Sequence, residues 1–252
     1  MQRCSSRCGQ RAVALPPATT WSQKFVTHDG IRIEYRVRAG RGVPVVFVPG
    51  MGVPALDYQD NHELAAVLGA RPIIAISIRG RGASDSPETG WTVGDQASDI
   101  AAVTEVEQLT RYHLVGHSMG VGYALHHALA HPDGIVSFTA ADYRPGLVLV
   151  SEEWVANVTN ANDGRYDRRI KRRMLREQGT ADYVPDLAML TIPTLAILGT
   201  RSSDRFVEAM WRRAPDARVL WIEHGHDTFA SPAGRGALAD HVRHAESRLV
   251  TP

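Results

Sequence analysis

Gly116-His117-Ser118-Met119-Gly120 is the stretch that decides the fold, with Tyr112-His113-Leu114-Val115 before it and a helix-patterned run from Tyr123 to Ala130 after it. An apolar run leading into Gly-x-Ser-x-Gly predicts a strand that turns sharply into a helix. A serine on such a turn is held in a strained backbone, with its hydroxyl raised above the sheet. The glycines two positions before and after it leave room for the turn. The next amide, on Met119, then points from a helix N-terminus, where a developing oxyanion is stabilised. A five-residue pattern is weakly specific alone; the strand–turn–helix setting gives it weight.

Working outward, strands and helices alternate. Phe25-Val26-Thr27 and Ile31 to Val37 flank Asp29-Gly30, which reads as a hairpin. Pro44 to Val48 and Ile73 to Ile78 are continuous apolar runs, as expected of strands buried on both faces. Helices are predicted over Asn61 to Leu68 and over Val93 to Leu109, where Ile100, Val103 and Val106 recur at helical spacing with Asp95 near the start. Ile135 to Thr139 is a further strand. Ile192 to Leu198 and Ala217 to Ile222 read as strands, Arg205 to Arg213 and Gly236 to Leu249 as helices. The rhythm implies an α/β fold with a mostly parallel sheet, helices on both faces and an antiparallel edge from the hairpin.

The bulk numbers bound the function. The chain has 252 residues, 44% hydrophobic and 22% charged, with a net charge of +1. No global field argues for nucleic acid or an anionic membrane surface. No apolar run approaches the roughly 18 residues of a membrane span. Both cysteines, Cys4 and Cys8, fall in residues 1–20, read as a disordered tail without a signal peptide, so a disulfide-built fold is excluded and a cytoplasmic protein is expected. Residues 21–252 read as a single domain.

Further motifs agree with this frame, and together they resemble the α/β-hydrolase fold family from about Phe25 to the C-terminus. Val48-Pro49-Gly50-Met51-Gly52 stands where the family has His-Gly followed by an oxyanion-hole residue. Pro49 replaces the histidine and leaves the Met51 amide available. Arg79-Gly80-Arg81-Gly82-Ala83-Ser84 resembles the family's Arg-Gly-x-Gly-x-Ser turn, with Ser77 where an aspartate commonly precedes it. The family's chain order is nucleophile, acid, histidine. Glu223-His224-Gly225-His226-Asp227 resembles its closing Gly-His turn, which makes His226 the base and His224 the rival. His117 is expected to orient the turn rather than react.

The resemblance places the acid after Pro193 to Gly199. A strict count from Gly199 lands on Ser202, so Asp204, two residues later, is the expected acid. Asp142, after the strand that follows Ser118, is the alternative. The interrupted stretch at about 145–190 resembles a short cap. It carries Trp154 and the basic run Arg165, Arg168, Arg169, Lys171, Arg172, Arg173 and Arg176, read as a solvated helix or as an attractor of anionic substrates. Neither Trp154 nor Tyr143 is assignable to an acyl pocket from sequence.

The resemblance implies a serine hydrolase acting on an ester or similar acyl bond, with Ser118 as nucleophile and Met51 and Met119 as oxyanion donors. The expected partner is a small acyl substrate, not nucleic acid or membrane. The same residues would serve a lactonase, thioesterase, C–C hydrolase, acyltransferase or haloperoxidase-like enzyme, or a receptor-like binder with little turnover. No metal or organic cofactor is expected. Activity should therefore survive exhaustive chelation; loss on chelation with recovery on adding back one metal would refute this.

Overall fold

The computed structural model describes residues 20–153, 156, 167 and 169–249. The tail with Cys4 and Cys8 lies outside the described residues, apart from position 20, as do Trp154, Arg165 and Arg168. Trp21–His28 (β1) and Ile31–Arg38 (β2) form the expected hairpin. Its turn residues, Asp29 and Gly30, have φ of 49° and 76°, the paired positive values that match the strand twist.

Among the described residues six parallel strands follow: Val45–Val48 (β3), Ile73–Ser77 (β4), Tyr112–His117 (β5), Ile135–Ala141 (β6), Thr194–Gly199 (β9) and Ala217–Ile222 (β10). Between β6 and β9, Gly146–Leu147 (β7) and Ala181–Asp182 (β8) pair as a small separate sheet. The main sheet runs β1-β2-β4-β3-β5-β6-β9-β10, with β2 antiparallel to β4. The chain leaves β3 to one side for β4 and crosses to the other for β5. Strand order therefore reverses between β3 and β5, where α/β sheets open a crevice at their C-terminal edge.

Helices cover both faces: Ala55–Asp60 (α1), His62–Val67 (α2), Val93–Val106 (α3), Gly120–Ala130 (α4), Ile170–Glu177 (α5), Arg205–Trp211 (α6) and Pro232–Leu249 (α7). The two-residue strand period divides the core. Val46 and Val48 pack with Leu114 and Val121 on one side, while Val45 and Phe47 pack with Leu238 and Val242 on the other. All residues of β3, β4, β6 and β9 are buried, which explains why these strands read as apolar runs. Each fully buried large apolar side chain contributes about 1.5–3 kcal/mol relative to exposure.

Boundaries differ where side chains compete. The helix expected over Asn61 to Leu68 is α2, and the short helix α1 precedes it: Asn61 ends α1, and its side chain accepts the Leu64 amide at 2.9 Å to start α2. Thr92 and Asp95 close a reciprocal capping box on α3. The last helix starts at Pro232 rather than Gly236. Gly234 belongs inside it because a Cβ there would lie 2.0 Å from the Thr228 carbonyl oxygen.

Ser77 has a compensating partner. Its hydroxyl donates to Glu34 on β2 at 3.0 Å, and the same carboxylate oxygen accepts the Ala83 amide at 2.8 Å. The Arg-Gly-x-Gly-x-Ser turn thus acquires its buried carboxylate from a neighbouring strand. Burial pushes the Glu34 pKa up, but the bonds from Ala83, Gln23 and Ser77 outweigh it and hold the group below its ordinary value.

The core also stores neutral imidazoles. His113 contacts Ser137 Oγ at 2.8 Å, His127 contacts the Tyr112 hydroxyl at 2.8 Å, and His241 donates to the Phe138 carbonyl at 3.2 Å. Burial lowers each pKa to about 4. The unfolded chain takes up these protons near about pH 6.5, whereas the folded chain holds off until about pH 4. Their contribution is therefore complete above the unfolded value and is lost as pH falls through this window. Urea midpoints should fall between about pH 6.5 and 4 with a slope approaching three protons. A midpoint constant down to about pH 4.5 would contradict this burial.

Candidate active site

The end of β5 and the start of α4 meet at Ser118, which has φ of 54°, the left-handed region that non-glycine residues rarely occupy. Such a conformation costs on the order of 1–3 kcal/mol and persists only where its surroundings fix it. Here the neighbours leave no slack. A Cβ at position 116 would sit 2.6 Å from the Val121 Cα, and one at 120 would sit 2.4 Å from the Val48 and Pro49 carbonyl oxygens. The Ser118 amide donates to the Ala141 carbonyl at 2.9 Å, and its carbonyl accepts from Val121 at 2.9 Å.

Pairing of Val48 with Gly116 across β3 and β5 sets the loop after β3 beside the turn. A Cβ on Gly50 would come within 2.7 Å of the Ser118 Cβ, so only glycine allows this approach. Met51 and Met119 line the same cavity as Ser118, and the backbone amide of neither donates to an acceptor among the described residues. Both expected oxyanion donors are thus unspent.

His226 lies in the loop after β10. Its Nε2 is 2.7 Å from the Ser118 hydroxyl and its Nδ1 is 2.8 Å from Asp142 Oδ2. With Nδ1–H donating to the carboxylate, Nε2 is left to accept the serine proton. His224, the rival in the same turn, faces the Gly225 carbonyl at 3.4 Å instead. His117 donates from Nε2 to the His226 carbonyl at 3.1 Å, and its ring lies 5.3 Å from the His226 ring. Burial lowers the His117 pKa, and the bond from its ring to the His226 carbonyl steadies the His226 loop.

The carboxylate beside His226 is Asp142, not Asp204. The expectation for Asp204 is corrected by its contacts: its Oδ1 accepts the Phe206 and Val207 amides at 2.9 and 3.0 Å, capping α6. Asp142 follows β6, the strand next to β5, and its own left-handed φ of 52° aims it across the sheet edge. The loop after β9 has become a donor set for this carboxylate. Oδ1 accepts the Gly199 amide at 2.7 Å and the Ser203 hydroxyl at 2.8 Å. Burial raises the Asp142 pKa, but the hydrogen bonds from His226, Ser202, Gly199 and Ser203 more than offset it and leave it below the ordinary value. Sequence reading missed these donors. The signal was Ser202 itself, standing where the strict count wanted an acid.

A cavity of about 490 Å³ opens over Ser118, walled by Met51, Val53, Met119, Tyr143, Val148, Leu149 and Val150. Among the described residues no arginine or lysine lines it. The basic run is also not the uniformly solvated helix expected. Lys171 is fully buried, and Arg173 reaches inward to Glu88, Ser86 and Asp167. Arg169 pairs with Asp167, while Arg172 and Arg176 are exposed. Among the described residues there is no group of three or more His, Cys, Asp or Glu side chains arranged to hold a metal, and no helix is long and apolar enough to cross a membrane.

The two aspartates separate cleanly by experiment. Asp142→Asn should cut kcat by about 10⁴ if it holds the His226 tautomer. Asp204→Ala should leave kcat intact and cost about 1 kcal/mol of stability through the lost cap, read by denaturant unfolding.

Comparison with known proteins agrees with this architecture. One stretch is 35% identical over 128 residues to a non-heme chloroperoxidase of Streptomyces lividans, covering 50% of this chain and 46% of that protein. Another is 43% identical over 74 residues to a 2-(acetamidomethylene)succinate hydrolase of Mesorhizobium japonicum, covering 29% of this chain and 26% of that one. The chain thus matches less than half the length of either curated relative. A crystal structure of a putative aryl esterase from Burkholderia cenocepacia superposes with a TM-score of 0.74 at 19% identity, over 90% of this chain and 100% of that one, a likeness of fold. A family model described as the alpha/beta hydrolase family matches residues 45–247, and the chain belongs to that family.

Proposed function

We propose that this protein is a serine hydrolase that cleaves an ester or similar acyl bond through Ser118, His226 and Asp142. The observation that carries the reading is the bridging position of His226, 2.7 Å from the Ser118 hydroxyl and 2.8 Å from Asp142. Ser118 Oγ attacks the acyl carbon and gives its proton to His226 Nε2. The buried, hydrogen-bonded Asp142 carboxylate stabilises the resulting imidazolium through Nδ1–H. The tetrahedral oxyanion accepts hydrogen bonds from the Met51 and Met119 amides. As the intermediate collapses, the leaving group departs with the proton from His226. Water then attacks the acyl-enzyme, passes its proton to His226, and the acid product and free Ser118 are released.

The cavity supports a substrate class. Beyond Ser118, Ser151 and the two histidines, its described walls are aliphatic, thioether and aromatic, with no arginine or lysine to bind an anionic acyl group, which favours a neutral apolar acyl chain. Buried Arg173 and Lys171 belong to the packing of the cap rather than to this cavity, which leaves the exposed Arg169, Arg172 and Arg176 as the described residues of the basic run that could attract an anionic substrate. The stretch shared with a protein named non-heme chloroperoxidase makes a peroxidase-type reaction at the same serine the second reading.

A serine-directed phosphonate should label the wild-type protein on Ser118 alone. Ser118→Ala should lose turnover by about 10⁴ or more while remaining folded. Labelling elsewhere, or a fully active alanine variant, would overturn the triad. A panel of p-nitrophenyl esters of graded length, with a thioester and a lactone, reads the bond class. Neutral esters should be turned over with little dependence on salt.

A further inference from the structure

Arg81 is the least expected side chain in the interior. It is fully buried, and its guanidinium hydrogen-bonds no carboxylate among the described residues. Nη1 donates to the Arg79 carbonyl at 3.0 Å and to Gln96 Oε1 at 3.2 Å, while Nη2 has no hydrogen-bond partner among the described residues. The guanidinium carbon lies 5.8 Å from the centre of the Tyr123 ring. Burying a cation without a directly bonded anion is expensive, so the position asks for a role beyond packing.

The remaining bond supplies it. Arg81 Nε donates to the Gly50 carbonyl at 3.2 Å. That carbonyl belongs to the same peptide unit as the Met51 N–H. The unit is trans, so its C=O and N–H point in opposite directions. A cation holding the carbonyl end fixes the plane and turns the amide end away from itself, towards the cavity that Met51 shares with Ser118. It also polarises the peptide, which makes the N–H a stronger donor.

We propose that Arg81 is a positioning residue for the oxyanion hole, acting through the Gly50–Met51 peptide. This rests on the serine-hydrolase reading above. The guanidinium is itself fixed by a buried polar network that reaches the cap. Gln96 Nε2 donates to the Trp91 carbonyl at 3.2 Å and to Gln178 Oε1 at 3.5 Å, and Tyr123 donates at 2.7 Å to the same oxygen of Gln178, the residue that ends α5. The base of the cap and the oxyanion loop are therefore parts of one hydrogen-bonded assembly. The cation never touches substrate. Its effect is confined to the state in which negative charge has formed on the acyl oxygen, so it acts on kcat and hardly on ground-state binding.

The test compares Arg81→Met and Arg81→Lys with wild type, using a neutral p-nitrophenyl ester and an alkylboronic acid, whose tetrahedral serine adduct places an oxygen in the oxyanion hole. Removing a direct oxyanion donor costs about 10²–10³ in kcat, so removing its support should cost about 10–100-fold. KM should change by less than about threefold, boronic acid affinity should fall in parallel with kcat, and Arg81→Lys should recover part of both. Gln96→Met, which removes one anchor of the guanidinium, should show the same pattern at about 3–10-fold and serves if Arg81→Met does not fold. Unchanged kcat and boronic acid affinity in these variants, with Ser118→Ala inactive, would overturn the role of Arg81 alone. An active Ser118→Ala enzyme would overturn the triad and this inference together.

Discussion

The left-handed backbone at Ser118 is the constraint on which the rest of the site depends. It lifts the hydroxyl above the sheet and brings the amide of the next residue to the start of α4. It is maintained by contacts that forbid alternatives. With Val121 against Gly116 and the Val48 and Pro49 carbonyls against Gly120, the turn has no room to relax. The loop after β3 then approaches so closely that Gly50 lies against the Ser118 side chain. The proposed nucleophile and both proposed oxyanion amides are thus positioned by backbone packing, which is stiffer than side-chain packing and needs no reorganisation if charge develops there.

The charged half of the site follows a different logic. Asp142 is taken out of water, which alone would favour its neutral form, and then given four stabilising groups. Two of these, the Gly199 amide and the Ser203 hydroxyl, come from the loop where the family resemblance had suggested an acid. The carboxylate has a different chain origin, but the place in space that it must fill is the same. Strand adjacency makes this workable: β6 lies between β5 and β9, so a residue just past β6 can reach both the histidine loop and the donors after β9. Asp204 is freed to cap α6.

The turn after β4 shows the same substitution of origin. Ser77 is too short to accept the Ala83 amide as a carboxylate would, and Glu34 reaches across from β2 to do so. Cations are placed with comparable economy. Arg79 is satisfied by Asp99 in a buried pair, whereas Arg81, two residues on, hydrogen-bonds no carboxylate among the described residues and is turned towards the Gly50 carbonyl. Arg173 ties the cap to the segment before α3 through Ser86 and Glu88, which explains why a basic run read as solvated is partly interior.

Local pattern alone determined the alternation of strands and helices, the hairpin at Asp29-Gly30 and the strand–turn–helix at Ser118, while the histidine of the closing turn was singled out by the family resemblance. The first three are encoded by neighbours in sequence: an apolar run of strand length, a pair of residues tolerant of positive φ, or glycines at fixed offsets around a serine. Tertiary structure decided which aspartate meets His226, which carboxylate serves the turn after β4, and where Arg81 and Arg173 point. Those outcomes depend on which strands lie side by side and on a few tenths of an ångström at their ends. A carboxylate after β6 and one after β9 look alike along the chain. Only the packed sheet edge distinguishes the one that meets an imidazole from the one that meets the amides of its own helix.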